Sequence, residues 1–389
     1  MKLKILIINW QDITNPFGGG AEVHLHEIFK RVHQKGHDVT LLCCQYQNAK
    51  RKELVDGIRI IRVGKRNFFN FTVPRVYKQL IKEKKFDVVI DDINKIPFYT
   101  PLFVKKPLIG IIHHLFGNSI FIEASLPAAL YVNFTERLIP PIYKKIPITV
   151  VSESTKQELL KKGFLEENTH IIHNGVDTLT YKKINTEKNS NPLIGYLGRI
   201  KKYKSVDHLL MASKVVLKEI PDIELVIIGD GDYLSQIKKL SSSLQINHAI
   251  TFTGALGEEQ KINYLNKTWF TVNPSPKEGW GLTVIESNAC GIPVIAADSP
   301  GLRDSVVNGK TGLTYNYGDC NQLAELIIKL INNQKLRQQL SINSLKWANN
   351  FSWHSSAEKM INLIEMTIDS WHSKLQTKIK DEINTVIHE

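Results

Sequence analysis

Cysteine is scarce in this 389-residue chain: Cys43, Cys44, Cys290 and Cys320 stand at no disulfide or metal-ligand spacing. A disulfide scaffold and a zinc module are thereby excluded, and the four read as structural thiols of a reducing cytoplasm. No apolar run approaches the roughly 18 residues that cross a bilayer. The short apolar start, MKLKILIINW, lacks a small-residue cleavage site and reads as a first strand rather than a signal peptide. Also missing are the G-x-G-x-x-G order of a nicotinamide fingerprint, any RNA- or DNA-binding motif, internal repeats and low-complexity tracts. No D-x-D metal motif is evident, since Asp91-Asp92 are adjacent and Asp230-x-Asp232 lies in the second half.

What remains is ordinary globular material, 42% hydrophobic and 23% charged, enough for two cores. The net charge of +12 is uneven: residues 1–180 hold 26 Lys and Arg against 17 Asp and Glu, the remainder 24 against 21. A basic half suits an anionic substrate or an anionic membrane surface, and without a recognition motif nucleic acid is not expected as a partner.

Taken in order, LKILIIN predicts a buried strand, Gly18-Gly19-Gly20 a turn, Ala21 to Lys35 a helix closed by Gly36, and HDVTLLCC a second strand. The glycines thus sit at the first crossover, where doubly wound folds bind ligands, although any one of them is equally a plain tight turn. Further strands are expected near 58–63, 87–91, 108–112, 148–151 and 170–172, alternating with helices. That order gives an open parallel sheet with its active residues past the strand C-termini. His113 and His114 follow the strand LIGII at such a position, where an imidazole can hold a proton or bond a hydroxyl. Segment 64–78, with Phe68, Phe69 and Phe71 among basic residues, and the apolar segment 120–143, broken at Pro140-Pro141, are each read two ways: packed helices, or surfaces for a membrane interface or an acceptor.

A polar linker at 178–191 leads into a second alternation. After the strand at 193–197 comes Gly198-Arg199, then Lys204; an Arg fork and a Lys point charge five apart can bracket a diphosphate. The stretch from Asn273 to Ala297 is the centre of the chain. It runs through a Pro-punctuated loop, Glu278, Gly279-Trp280-Gly281, a helix from Leu282 to Cys290 that carries Thr283 and Glu286, and the buried strand VIAA. The helix start offers unpaired N–H groups and partial positive charge to a phosphate, and the two acids are expected to face one crevice beneath it, suited to sugar hydroxyls.

The spacing Glu278-x7-Glu286 with GWGL, together with GGGAE, SES(T), HNGVD and GR-x4-K in this order, resembles the retaining glycosyltransferases of family 4 across nearly the whole chain. The resemblance implies a GT-B architecture: α/β, two Rossmann-like domains with parallel sheets facing a central cleft. The divisions expected are 1–178 for the acceptor-side domain, 179–352 for the nucleotide-sugar donor domain, 353–372 for a helix crossing back to the first domain, and 373–389 for a charged, frayed tail.

It further implies catalytic roles for His113, Glu278, Arg199 and Lys204. Donor binding falls to Gly19, Gly20, Arg199, Lys204, Glu278, Gly279, Trp280, Gly281, Leu282, Thr283 and Glu286, with Glu278 on the sugar, Glu286 on the ribose, and Arg199, Lys204 and the helix start on the diphosphate. One departure stands out: relatives carry Gly after the Lys, where this chain has Ser205. No metal and no cofactor are implied beyond the nucleotide-sugar co-substrate, such as a UDP- or GDP-sugar. The acceptor is a saccharide or a lipid-linked hydroxyl in cell-surface polysaccharide or glycoconjugate synthesis, on the cytoplasmic side and with an anionic membrane surface as a further partner. A GT-B nucleotide-sugar epimerase and a non-catalytic scaffold of a glycan-assembly complex are the alternatives; the intact Arg199, Lys204, Glu278 and Glu286 speak against the scaffold.

Overall fold

The computed structural model describes residues 2–94, 96–185 and 187–387. The amino-terminal lobe is an eight-stranded sheet of β1 (Lys4–Ile8), β2 (Asp38–Gln45), β3 (Lys52–Val55), β4 (Ile58–Lys65), β5 (Val88–Ile93), β6 (Leu108–Ile112), β7 (Ile148–Val150) and β8 (Thr169–Ile171), in the order β3-β4-β2-β1-β5-β6-β7-β8. All pairings are parallel except β3 with β4. Period-two alternation divides β1 between two cores: Ile5 and Ile7 pack with Ile28, Phe29 and Val32 of α1 (Gly20–Gln34), and Leu6 and Ile8 pack with Phe69, Val73 and Tyr77 of α2 (Phe69–Glu83). Both faces are covered, which is why the strands read as continuous apolar runs.

Segment 120–143 folds as α3 (Ile120–Glu123), α4 (Leu126–Arg137) and α5 (Ile139–Tyr143), with Pro140 and Pro141 in the first turn of α5, where a missing N–H costs nothing. Helix α6 (Glu153–Lys161) is capped by Ser152, whose hydroxyl accepts from the Thr155 amide.

The second lobe is a six-stranded, wholly parallel sheet of β9 (Leu193–Leu197), β10 (Glu224–Ile228), β11 (Ile250–Gly254), β12 (Phe270–Asn273), β13 (Val294–Ala297) and β14 (Gly312–Tyr315), ordered β11-β10-β9-β12-β13-β14. Its helices are α7 (Val206–Glu219), α8 (Leu234–Ser243), α9 (Glu258–Lys267), α10 (Leu282–Ala289), α11 (Leu302–Ser305), α12 (Cys320–Asn332) and α13 (Gln334–Ala348). The last helix, α14 (Trp353–Ile387), returns to the first lobe, burying Trp353, Ala357, Met360 and Ile364 in the α1 core.

Two features differ from the sequence reading. The return helix does not end near 372 but runs unbroken to Ile387, so the expected tail is helical as far as it is described, its last two residues lying outside the described range. Strand β3 and its hairpin to β4 are additional: Asp56 and Gly57 both take positive φ (46° and 83°), the geometry of a two-residue hairpin turn.

Strand order reverses between β1 and β5 in one lobe and between β9 and β12 in the other, and crevices open at such reversals beyond the strand C-termini. The loops at these two points are the glycine run (after β1), Arg199 to Lys204 (after β9), and Pro274 to Gly281 (after β12).

Candidate functional site

The two lobes meet through those loops. Arg199 reaches across the cleft: its Nη1 donates to the Phe17 carbonyl at 3.2 Å and its Nη2 to the Gly18 carbonyl. The Arg199 loop is held from below, its carbonyl accepting from the Tyr196 hydroxyl at 2.9 Å. A Cβ on Gly229 would strike the Gly198 carbonyl at 1.9 Å and one on Gly231 the Ile200 carbonyl at 2.1 Å. The Gly229-Asp230-Gly231 run is therefore the support on which the arginine loop rests.

Lys204 Nζ lies 2.5 Å from Glu278 Oε1, each side chain 16% exposed. Burial alone would discharge the lysine, but Glu278 and the nearby Tyr203 and Tyr196 outweigh it and hold its pKa above the usual lysine range. Glu286 is placed elsewhere: its carboxylate faces Lys261 Nζ at 3.6 Å and the Tyr181 hydroxyl. Burial raises its pKa against the pull of these partners, and the Tyr181 phenol is pushed up in turn by its own burial and by Glu286 and Glu258. The two acids thus share no partner.

Between them α10 begins at Gly281, whose φ of +91° suits a residue without Cβ. Leu282 extends into the other lobe, where a Cβ on Gly20 would come within 3.3 Å of it. The first turns of α1 and α10 therefore face each other over one spot, two positive helix ends on opposite walls of the cleft. The α1 turn carries its own acid: Glu22, 5% exposed, accepts from the Gly19 amide at 2.6 Å, and burial raises its pKa.

His113 forms the floor. Its Nε2 is 3.0 Å from Asp92 Oδ1, and its ring stands edge-on to His24, with centroids 5.0 Å apart. Burial opposes its charge, yet Asp92 and Glu22 prevail and raise its pKa, whereas His24 is lowered to about 3 by burial and by His113. Gly279 lies directly on this floor, since a Cβ there would meet the His113 carbonyl at 2.8 Å.

Arg199, Lys204, Glu278, Gly279, Gly281, Leu282, Gly19, Gly20 and His113 are thereby gathered around the cleft. The Trp280 side chain is not: it is 3% exposed, packed on His173 (4.4 Å between centroids) and Phe351 (5.0 Å) beneath the loop. Thr283 faces the Asn273 amide at 3.5 Å. Sequence reasoning passed over Glu22, Asp92, Tyr181 and Lys261. A capping-box spacing, Gly19 to Glu22, was a readable signal for the first, and nothing local marked the other three. Among the described residues no group of three or more His, Cys, Asp or Glu is arranged to hold a metal ion.

Two family profiles match consecutive parts of the chain: Glycosyltransferase Family 4 over residues 18–179 and Glycosyl transferases group 1 over residues 177–347. The capsular polysaccharide biosynthesis glycosyltransferase CapM of Staphylococcus aureus is 30% identical over 216 residues, 52% of this chain and 57% of that one. Among solved structures, sucrose-phosphate synthase from Thermosynechococcus elongatus superposes with a TM-score of 0.81 at 20% identity, covering 95% of this chain and all of that one. Anabaena HepE, solved in complex with UDP and glucose, gives 0.73 at 17%, covering 94% and 100%; at these identities the likeness is one of fold. The profiles and the two facing parallel-sheet lobes agree, and the chain is a GT-B glycosyltransferase of the family 4 type.

Proposed function

We propose that this enzyme transfers a sugar, with retention of anomeric configuration, from a nucleoside diphosphate to a hydroxyl of a saccharide or lipid-linked acceptor. UDP- and GDP-sugars are the donors proposed, cell-surface polysaccharide or glycoconjugate synthesis the setting, and the cytoplasm the compartment, which suits its four free thiols. The observation that carries the reading is the convergence of Arg199 and Lys204 with the starts of α1 and α10 on one spot between the lobes.

Two cationic side chains and two helix ends can take up the charge that develops on a departing diphosphate without a bound metal. The bond from the anomeric carbon to the diphosphate oxygen breaks, its electron pair staying on phosphate. The acceptor oxygen bonds that carbon from the same face, and its proton passes to the leaving phosphate. Glu278 aligns the sugar hydroxyls, His113 receives the sugar from the floor, and Glu286, held by Tyr181 and Lys261, takes the ribose. Trp280 supplies its main-chain amide alone.

The test is a thermal-shift screen over nucleotide sugars, followed by NMR of the product's anomeric proton. A stabilising donor lost on Arg199→Ala and Glu278→Ala, and a product of unchanged configuration, are the expected outcomes. Inverted product would overturn retention, and unaltered donor binding in both variants would overturn the site.

A further inference from the structure

Helix α4 is built inside out. Its larger apolar residues face solvent, with Leu126 65%, Leu130 55%, Tyr131 43% and Phe134 61% exposed. Two of its polar residues turn inward instead: Thr135 is buried, and Glu136, its one acid, is 7% exposed and accepts from the Phe116 and Gly117 amides at 2.5 and 2.7 Å. Only Ala129 and Val132 give the helix an apolar core contact. A surface helix ordinarily shows the reverse pattern, and an exposed apolar face of this kind marks a binding surface.

Charge identifies the occupant. The outer face ends in exposed Arg137, followed by exposed Lys144 and Lys145. The α2 region repeats the combination, with Phe68 63% and Phe71 70% exposed beside exposed Arg75 and Lys78, and no acid between Asp56 and Glu83. The clusters under α2 and α5 share Ile146, so both helical regions cover the same side of the sheet. Apolar residues interleaved with bases over two separate helices match an anionic lipid interface better than one complementary protein groove. The face also lies beside the cleft, because α3, against which α4 packs, touches the Lys202–Lys204 turn.

We propose that the outer face of α4, with Phe68 and Phe71 of the α2 region, docks this lobe on the surface of an anionic membrane. Leu126, Leu130 and Phe134 enter the headgroup boundary, and the bases neutralise lipid phosphates. The cleft mouth is then held next to the bilayer, which gives direct access to a lipid-linked acceptor; in that respect alone the inference rests on the function proposed above.

The full chain is to be sedimented with phosphatidylcholine vesicles, with and without about 30 mol % phosphatidylglycerol. Binding is expected only with the anionic lipid, and is expected to weaken at about 0.5 M salt. The exposed double change Leu130→Glu with Phe134→Glu should cut binding roughly ten-fold while leaving the melting temperature and the donor-induced thermal shift unchanged. Donor shifts with no vesicle binding, or vesicle binding untouched by the double change, overturn the docking inference and leave the transferase reading standing. A dimer in light scattering that the same change splits would give this face to a second copy instead, and overturn it likewise.

Discussion

Ser205 occupies the left-handed region, at φ 52° and ψ 39°, although it carries a Cβ. The position follows Lys204 directly, so the turn that brings the lysine onto Glu278 is paid for in backbone strain of roughly 1–2 kcal/mol. This gives physical content to the glycine that the family resemblance implies at this position. Ser205 compensates through its hydroxyl, 3.0 Å from that of Tyr317. Comparing Ser205→Gly with Ser205→Ala removes the hydroxyl from both and isolates the strain. The glycine variant should be the more stable by about 1 kcal/mol in denaturant melts, and equal stabilities would place the strain elsewhere. Asp91 supplies a second residue-level test. Adjacent strand residues point to opposite faces, so Asp92 meets His113 at the cleft while Asp91 is driven into the core, accepting from Thr100 Oγ1 at 2.5 Å and the Tyr143 hydroxyl at 2.7 Å. Burial lifts its pKa from 3.8 to about 7. The folded state therefore binds more protons than the unfolded chain between pH 4 and pH 7, and stability falls as pH rises through that window. Asp91→Asn should flatten this slope and stabilise the protein at pH 8 by up to about 4 kcal/mol, measured by urea titration across pH.

At the scale of elements, the loop between β12 and α10 sets the site by contact rather than by sequence neighbourhood. Gly279 rests against the His113 carbonyl, a main-chain atom that cannot rotate aside. Gly279→Ala should reduce turnover at least ten-fold while costing only about 1–2 kcal/mol of stability. Gly257→Ala, where nothing lies within 4 Å, should leave both unchanged. This loop also shows how much of the protein could be read from its residues. The strands, the glycine stops and the cations of GR-x4-K are local signals: buried parallel strands need apolar runs, and helix ends need residues that tolerate positive φ. The expectation that Glu278 and Glu286 share a crevice came from helix spacing, yet their surroundings depend on Lys204, on Lys261 of α9 and on Tyr181 of the linker, all remote in sequence. The burial of the Trp280 side chain likewise cannot be read from GWGL, because it is decided by His173 and Phe351. The length of α14 was illegible for the opposite reason: from Asp369 to Lys380 every side chain is exposed, and charged, weakly amphipathic sequence continues the helix without a stop residue.

At the scale of the whole molecule, the lobes are joined by two kinds of contact. Behind the cleft, Trp280, Tyr181, Ile285, Val151 and Phe351 form one apolar cluster, and the Val176 amide bonds the Phe351 carbonyl at 3.0 Å. Across the mouth, apart from Leu282 reaching Gly20, the contacts are polar: Arg199 on the Phe17 and Gly18 carbonyls, Lys277 Nζ with Glu158 of α6 at 2.8 Å, and the Ser154 amide on Asp304 at 3.2 Å. Partly exposed ion pairs contribute about 0–1 kcal/mol each, far less than the buried cluster, so the cluster acts as hinge and the mouth as a weak clasp. Arg199 bridges the lobes by bonding main-chain carbonyls, and on the function proposed above a diphosphate would replace those carbonyls as its partner while also meeting the α1 and α10 helix ends. Lys277→Ala should then open the empty enzyme, seen as a larger radius of gyration in small-angle scattering, and saturating UDP should restore the compact value. Adding Arg199→Ala should abolish that restoration, because the nucleotide would then lack the side chain that ties it to both walls. An unchanged radius in Lys277→Ala, or full compaction by UDP in the double variant, would show that closure is set by the hinge cluster alone.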